Sequence, residues 1–265
     1  MTAFSELLAG SMPRVIAGVL VLARVTGLML QAPILGARAI PQRVRLAVAV
    51  GVALPMLALV PQQSSTALAA SGNSLWLVFG VLMELGIGLL MGLVAAFLVS
   101  AARLAGELAG IQIGFGMATL NDPQTQSQTT PLAEWHNLTA MLLFLAMDGH
   151  HLLIRALARS FQQVPLAAAF PTAETYGLIV ALTGGLFASA LRIASPVLVL
   201  MFLVNSAMGV LSKLISQLNV FALGVSINIL AGLFILGASE GFVLRHLGTR
   251  IAALSEQLAS LVQTF

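Results

Sequence analysis

Long apolar runs separated by short polar breaks dominate this chain of 265 residues. Six runs approach or exceed the roughly 20 residues that cross a bilayer as a helix, at 13–32, 44–61, 75–105, 135–157, 177–210 and 220–244. A lone strand would leave its backbone polar groups unsatisfied in lipid, so all six runs are predicted to be helices. The pattern therefore predicts an all-α integral membrane protein with about six long hydrophobic helices.

Turn-forming residues mark the breaks, with proline and glycine in the segment 33–41 and two prolines in 165–171. The runs at 75–105 and 177–210 are longer than a hydrocarbon core of ~30 Å requires. Pro196 is expected to kink or split the second of them. The tail, residues 244–265, intersperses charged residues among aliphatic ones, which predicts a short amphipathic helix.

The composition supports a membrane protein and excludes several other classes. Hydrophobic residues make up 59% of the chain and charged residues only 8%, against about 25% charged residues in soluble domains. The net charge is +3 with scattered Lys and Arg, so we expect no nucleic-acid partner. The absence of cysteine excludes disulfides and thiolate metal sites. Glu6 stands where a signal peptide would carry basic residues, so no cleaved signal peptide is expected.

The positive charges do not assign a membrane topology. A cytoplasmic N-terminus would place the arginines of segment 38–45 outside, against the positive-inside rule. The opposite orientation would place the arginines of 155–159 and 245–250 outside. Two interpretations stay open: a weak bias in a charge-poor chain, or helices that pack mainly against protein rather than lipid.

Small residues recur at every fourth position through the third run and beyond it. Such a face lets helix backbones approach closely, and tight helix packing is predicted at Gly88, Gly92, Gly106 and Gly110. From Gly106 onward the density of glycine weakens a helix, because each glycine costs roughly 1 kcal/mol relative to alanine. A strained or switching segment is therefore expected there.

Ionisable residues inside the apolar runs are expensive in lipid and are usually paired or set in a wet interior. They are Arg24, Glu84, Arg103, Glu107, Asp148, His150, His151, Arg192 and Lys213. Arg103 and Glu107 lie four residues apart, which predicts an intrahelical ion pair, with a proton relay as the alternative.

No motif in the sequence indicates catalysis or a cofactor. Asp148, His150 and His151 are close in sequence, but successive helical residues point about 100° apart, so no metal site is predicted. The chain has no H-E-x-x-H, no G-x-S-x-G and no P-loop. We therefore expect no catalytic residue.

Four segments, in this order, resemble the R-type subunits of the flagellar type III export gate, the FliR/SctT family. They are "IPQRVRLAVAV", "GELAGIQIGFGMATLNDP", "FLAMDGHHLLIRALARSF" and "GVLSKLISQLNVFALGVSINILAGL". Their order and spacing, together with a length near that of the family, carry the resemblance. Ser216 stands where the family usually has a proline, which changes the bend expected at that point.

The resemblance implies a non-enzymatic, pore-forming subunit in the bacterial inner membrane, within the flagellar basal body. One copy would assemble with P-type and Q-type subunits and with an FlhB-type switch subunit, and unfolded flagellar proteins would pass through. Residues 1–175 would correspond to a P-type-like part, and residues 176–265 to a Q-type-like hairpin with the C-terminal amphipathic helix. The alternatives are a virulence secretion system or, less favoured, a small secondary transporter, which should show internal repeats.

The same resemblance implies that a loop at about 110–123 plugs the pore. The residues assigned to this plug are Gly110, Ile111, Ile113, Gly114, Phe115, Gly116 and Met117. Buried polar positions or subunit contacts are expected at Arg103, Glu107, Gln112, Gln217 and Asn219.

Overall fold

The computed structural model describes residues 2–36, 40–60, 74–116, 129–167, 170–214 and 220–265. These ranges contain eight α-helices and no strand, which confirms the all-α prediction. The helices are α1 (Thr2–Gln31), α2 (Gln42–Leu57), α3 (Ser74–Ile113), α4 (Pro131–Ala146), α5 (Gly149–Gln163), α6 (Ala173–Leu214), α7 (Val220–Ala252) and α8 (Leu254–Gln263).

Four helical stretches of the described residues are long and apolar enough to cross a membrane. They are Met12–Gln31, Leu75–Ile113, Ala173–Leu214 and Leu223–Gln263, and α4 with α5 makes a fifth if the bent pair counts as one span. The sequence predicted about six. The difference lies mainly in the run at 44–61, which forms α2 and ends after 16 residues, short of the roughly 20 that a span needs.

The structure corrects two expectations about helix boundaries. Helix α6 runs through Pro196 as one helix of 42 residues, so the proline does not split it. Ala194 and Val197, on either side of the proline, are each only 2% exposed, and their packing offsets the roughly 3 kcal/mol that an interior proline costs. Helix α7 continues to Ala252, so the amphipathic C-terminal helix begins at 254 and not near 244.

The first of two compact units consists of Met1–Phe97, Asp148–Leu182 and Ala253–Phe265. In it α1 packs against α2, and α8 packs against α5. Helix α8 directs one face inward, where Leu254, Leu258 and Leu261 are fully buried while Glu256 is exposed. The amphipathic character predicted for the tail is thus explained by its contact with α5.

The second unit consists of Leu98–Met147 and Thr183–Ala252. Its core is made largely of small side chains, which brings the helix axes close together; the buried members include Ala101, Ala102, Ala105, Ala140, Ala190 and Ala194. Both compact units combine segments distant in sequence, so they do not coincide with the linear division at residue 175. That division concerns likeness to other subunits and stays a prediction.

Candidate functional site

Glycines bring α1 and α3 into backbone contact in the first unit. A Cβ at Gly88 would overlap the carbonyl of Arg24, and one at Gly92 would lie 2.5 Å from the carbonyl oxygen of Leu28. A Cβ at Gly27, on α1, would overlap the carbonyl of Leu85 in the same way. No side chain larger than hydrogen fits at these positions without moving a helix.

A buried ion pair lies beside this glycine contact. The Arg24 and Glu84 side chains are both completely buried, with Nε and Oε2 separated by 2.5 Å. A second hydrogen bond of 3.1 Å runs from Arg24 Nη2 to Glu84 Oε1. The pair is therefore bidentate, the geometry in which arginine and carboxylate interact most strongly.

The remaining polar atoms of the pair are satisfied by α5 and the segment that follows it. Arg24 donates from Nη1 to Ser160 Oγ at 3.1 Å, and its guanidinium lies 4.5 Å from the centre of the Phe161 ring. The Ala167 amide donates to Glu84 Oε1 at 2.9 Å. Ala167 has φ of 55°, so this hydrogen bond helps to hold a strained backbone position.

Sequence reasoning identified Arg24 and Glu84 only as ionisable residues in apolar runs and missed that they pair, 60 positions apart. One signal was available, because Glu84 falls in the same four-residue register as Gly80, Gly88 and Gly92. A carboxylate on a close-packing face of a helix has to find its partner on the helix that packs there.

In the second unit, α3 meets the start of α4 over two glycines. A Cβ at Gly106 would lie 2.5 Å from the Leu132 carbonyl oxygen and 2.7 Å from Ala133 Cα. A Cβ at Gly110 would lie 2.5 Å from Thr130 Oγ1. The absence of side chains at Gly106 and Gly110 therefore lets the end of α3 contact the start of the following helix directly.

Glu107 stands between these glycines and binds the N-terminus of α4. Its Oε2 accepts hydrogen bonds from the Thr130 amide at 3.0 Å and from Thr130 Oγ1 at 3.1 Å. Thr130 Oγ1 in turn accepts from the Ala133 amide at 3.3 Å, the usual interaction of an N-cap residue. A carboxylate at this place also interacts favourably with the helix dipole.

This arrangement corrects the predicted intrahelical pair. Arg103 is exposed, and in the described part of the chain it forms no ion pair with Glu107. The carboxylate points instead toward Thr130, the N-cap residue of α4. The amide and the hydroxyl of Thr130 both donate hydrogen bonds to it. Gln112 is likewise exposed, while Gln217 and Asn219 lie outside the described residues.

The segment assigned to the plug is partly helical. Gly110 to Ile113 form the last turn of α3, so the loop begins at Gly114 and not at Gly110. Gly114 has φ of 108°, and the Phe115 amide donates to the Gly110 carbonyl at 2.9 Å. A glycine in this conformation is a common way to end a helix.

The apolar members of this segment differ in their surroundings. Ile113 is fully buried, and its Cγ1 lies 2.5 Å from where a Cβ of Gly232 would be. Ile111 is 55% exposed, and Phe115 is half-buried against the cluster around Ile113. Gly116 is also half-buried, and Met117 lies outside the described residues.

The structure brings Asp148, His150 and His151 together, contrary to the angular reasoning from sequence. Their potential ligand atoms all lie within 4.8 Å of one another, and His151 Nδ1 is 3.0 Å from Asp148 Oδ1. Asp148 precedes α5 with φ of 56°, so the helical spacing of 100° does not apply to it. Asp148 and His151 are exposed, and their contact is an ordinary surface interaction.

Comparison with known proteins finds one family that matches most of the chain. Residues 15–254 match the family described as bacterial export proteins, family 1. The flagellar biosynthetic protein FliR of Pectobacterium carotovorum subsp. carotovorum is 34% identical over 215 residues, which are 81% of this chain and 80% of that protein.

Two further relatives carry the same name. FliR of Escherichia coli (strain K12) is 30% identical over 217 residues, 82% of this chain and 81% of its own length. FliR of Bacillus subtilis (strain 168) is 30% identical over 213 residues, 79% of this chain and 80% of its own length. This chain therefore belongs to the bacterial export proteins, family 1.

Proposed function

We propose that this chain is a non-enzymatic, pore-forming core subunit of the flagellar type III export gate in the bacterial inner membrane. The observation that carries the proposal is the family match over residues 15–254, which includes nearly every described helix. Its relatives carry the name of a flagellar biosynthetic protein. Their names favour the flagellar system over a virulence system.

A structural role agrees with the way the chain uses its buried charges. Arg24 and Glu84 satisfy each other and α5, and Glu107 binds the N-cap of α4. A transporter would instead need ionisable groups that are free to bind a substrate or a coupling ion. We propose that P-type, Q-type and FlhB-type subunits assemble with one copy of this chain, and that unfolded flagellar proteins are its cargo.

The pore plug is retained as a proposal with a division of roles. Ile113, buried against Gly232, would anchor the segment. Ile111, Phe115 and Met117 would supply the apolar seal, with Gly114 and Gly116 allowing the backbone to rearrange. An apolar constriction excludes water and ions without a covalent barrier, which a resting export gate requires.

The function is tested by complementation. The chain, expressed with its P-type and Q-type neighbours in a motile bacterium that lacks its own FliR, should restore flagellar assembly and swimming. Native mass spectrometry of the gently solubilised complex should show one copy of this chain in a hetero-oligomer. A lone monomer or a symmetric homodimer that transports a small solute would favour a transporter instead.

The plug is tested on the same complex with Phe115→Ala. The expected result is normal assembly with an ion leak at rest, while Phe187→Ala, which removes an exposed phenylalanine elsewhere in the second unit, should leave the membrane tight. Complex yield and membrane conductance are measured on one sample. Intact assembly with a tight membrane for Phe115→Ala would contradict the plug.

A further inference from the structure

The connection between α4 and α5 carries three side chains that can ligate a metal ion. Helix α4 ends at Ala146 and α5 begins at Gly149, so the chain passes from one to the other over only two residues. Asp148, the second of them, has a left-handed backbone conformation with φ of 56°. His150 and His151 follow in the first turn of α5, and one potential ligand atom of each of the three side chains lies within 4.8 Å of the other two.

The carboxylate of Asp148 does not cap α5. An aspartate that precedes a helix usually accepts a hydrogen bond from an amide of the first turn, but the Asp148 side chain forms no such bond. Its Oδ1 lies instead 3.0 Å from His151 Nδ1. Two ligands at ~2.1 Å from one ion, separated by an angle of about 90–110°, are about 3.0–3.4 Å apart. The observed distance therefore suits a shared ion as well as a hydrogen bond.

The two imidazoles lie next to each other, and one of their nitrogens is unsatisfied. The ring centres are 4.1 Å apart, and Nδ1 of His150 is buried with no hydrogen-bond partner among the described residues. A buried ring nitrogen is expected to have a partner. An ion held among the three side chains would provide one, because a neutral imidazole offers a lone pair to a metal.

The three ligands can close around an ion without moving a helix. The side chains of Asp148 and His151 are 67% and 58% exposed, so both are free to rotate toward a common centre. The positive end of the α5 dipole opposes a cation at this place. The carboxylate of Asp148 offsets that effect with a full negative charge.

We propose that Asp148, His150 and His151 bind a divalent transition-metal ion such as Zn²⁺. Imidazole nitrogens suit Zn²⁺, Ni²⁺ and Cu²⁺, whereas Mg²⁺ and Ca²⁺ prefer oxygen ligands. Three protein ligands leave the fourth position of a tetrahedral ion to water. The bound ion restrains Asp148 in its left-handed conformation. This inference does not depend on the proposed export function.

The test is a calorimetric titration of the purified full chain with Zn²⁺ in a mild detergent, after removal of any histidine tag. We expect saturable binding of one ion per chain. His151→Gln and Asp148→Asn change exposed side chains, and asparagine also tolerates the left-handed conformation. Each should weaken binding at least roughly tenfold, the loss that even an outer-shell substitution produces at metal sites, and His150→Gln should do the same.

His246→Gln is the matched control. It removes another imidazole with a buried nitrogen that has no partner among the described residues, and it should leave the affinity for Zn²⁺ unchanged. An equal loss of affinity with this control would overturn the proposal, because the effect would then not belong to the cluster at α5.

Other results would also overturn the proposal. Absence of saturable Zn²⁺ binding by the unchanged protein would do so whatever the variants show. Full affinity in both His151→Gln and Asp148→Asn would do so even if His150→Gln failed to fold. Displacement of bound Zn²⁺ by an equal concentration of Mg²⁺ would exclude imidazole ligands, which disfavour that ion.

Discussion

Two carboxylates on the same helix, Glu84 and Glu107 of α3, are accommodated in different ways. Glu84, in the first unit, is completely buried and is neutralised by Arg24 from α1. Glu107, in the second unit, is half-buried, forms no ion pair within the described part of the chain, and accepts hydrogen bonds from the amide and hydroxyl of Thr130. Glu84 forms an ion pair with a helix that is distant in sequence. Glu107 binds the N-cap residue of the helix that follows α3 in the chain.

The difference shows how a charge-poor membrane chain distributes its few polar contacts. A fully buried carboxylate needs a full opposite charge, because its desolvation costs several kcal/mol. A half-buried carboxylate keeps part of its hydration and needs only donors and a helix dipole. Glu84 is therefore expected to be far less tolerant of substitution than Glu107.

The largest effect is expected from breaking the ion pair. Glu84→Ala leaves Arg24 as an uncompensated buried charge and should lower the free energy of unfolding by about 3–5 kcal/mol. The measurement is thermal or denaturant unfolding of the protein in a mild detergent, with yield as a second readout. Glu134→Ala, at an exposed position, is the control and should change little.

A double replacement separates charge from packing at the same site. Arg24→Met combined with Glu84→Leu should recover most of the lost stability, because an apolar pair of similar volume leaves no buried charge. The double variant could instead be as unstable as Glu84→Ala. That result would show that the hydrogen bonds to Ser160 and Ala167 contribute more to stability than the neutralisation of the buried charge does.

The glycines should give the next largest effect. Gly106→Ala places a methyl group against the backbone of α4, where nothing can yield cheaply, and should cost about 1–3 kcal/mol of stability. Gly209→Ala, in a helix where a Cβ meets nothing within 4 Å, should instead gain up to roughly 1 kcal/mol. The same unfolding measurement distinguishes them by sign. Equal effects would show that the close approach at Gly106 is not maintained in solution.

Loss of the hydroxyl that binds Glu107 should cost less. Thr130→Val removes both the N-cap and one of the two hydrogen bonds to Glu107, so stability should fall by about 1–2 kcal/mol. Thr130→Ser keeps the hydroxyl and should stay close to the original protein. Hydrogen exchange of the first α4 amides would report the same change locally, and unchanged protection in Thr130→Val would contradict the capping role.

The smallest effect on the isolated chain is expected at Arg103. Because its side chain is exposed and unpaired in the described structure, Arg103→Gln should change the free energy of unfolding by less than about 0.5 kcal/mol. If Arg103 contacts another subunit, as the resemblance implies, the same variant should reduce complex yield while leaving the isolated chain intact. A marked loss of stability in the isolated chain would show that Arg103 has a role within the chain.

Several features could be predicted from sequence because they depend on local physical chemistry. The apolar runs predicted helices, since a lone strand would leave its backbone polar groups without hydrogen-bond partners in lipid. The four-residue spacing of small side chains indicated close packing at positions such as Gly88 and Gly106. The amphipathic tail was also predicted, although its start was misplaced because α7 continues as a regular helix to Ala252.

Other features required the tertiary structure, because they depend on residues distant in sequence. The partner of Glu84 is Arg24, 60 residues away on α1. Glu107 binds Thr130, 23 residues later in the chain, and not Arg103, four residues earlier on the same helix. Helical spacing could not foresee that Ile113 would be buried against Gly232 while Ile111 stayed exposed. The sequence by itself determined that the chain is a bundle of apolar helices with tight small-residue faces. Only the tertiary structure decided which helix each face and each charge would meet, since a pairing energy depends on the distance between atoms and not on their order in the chain.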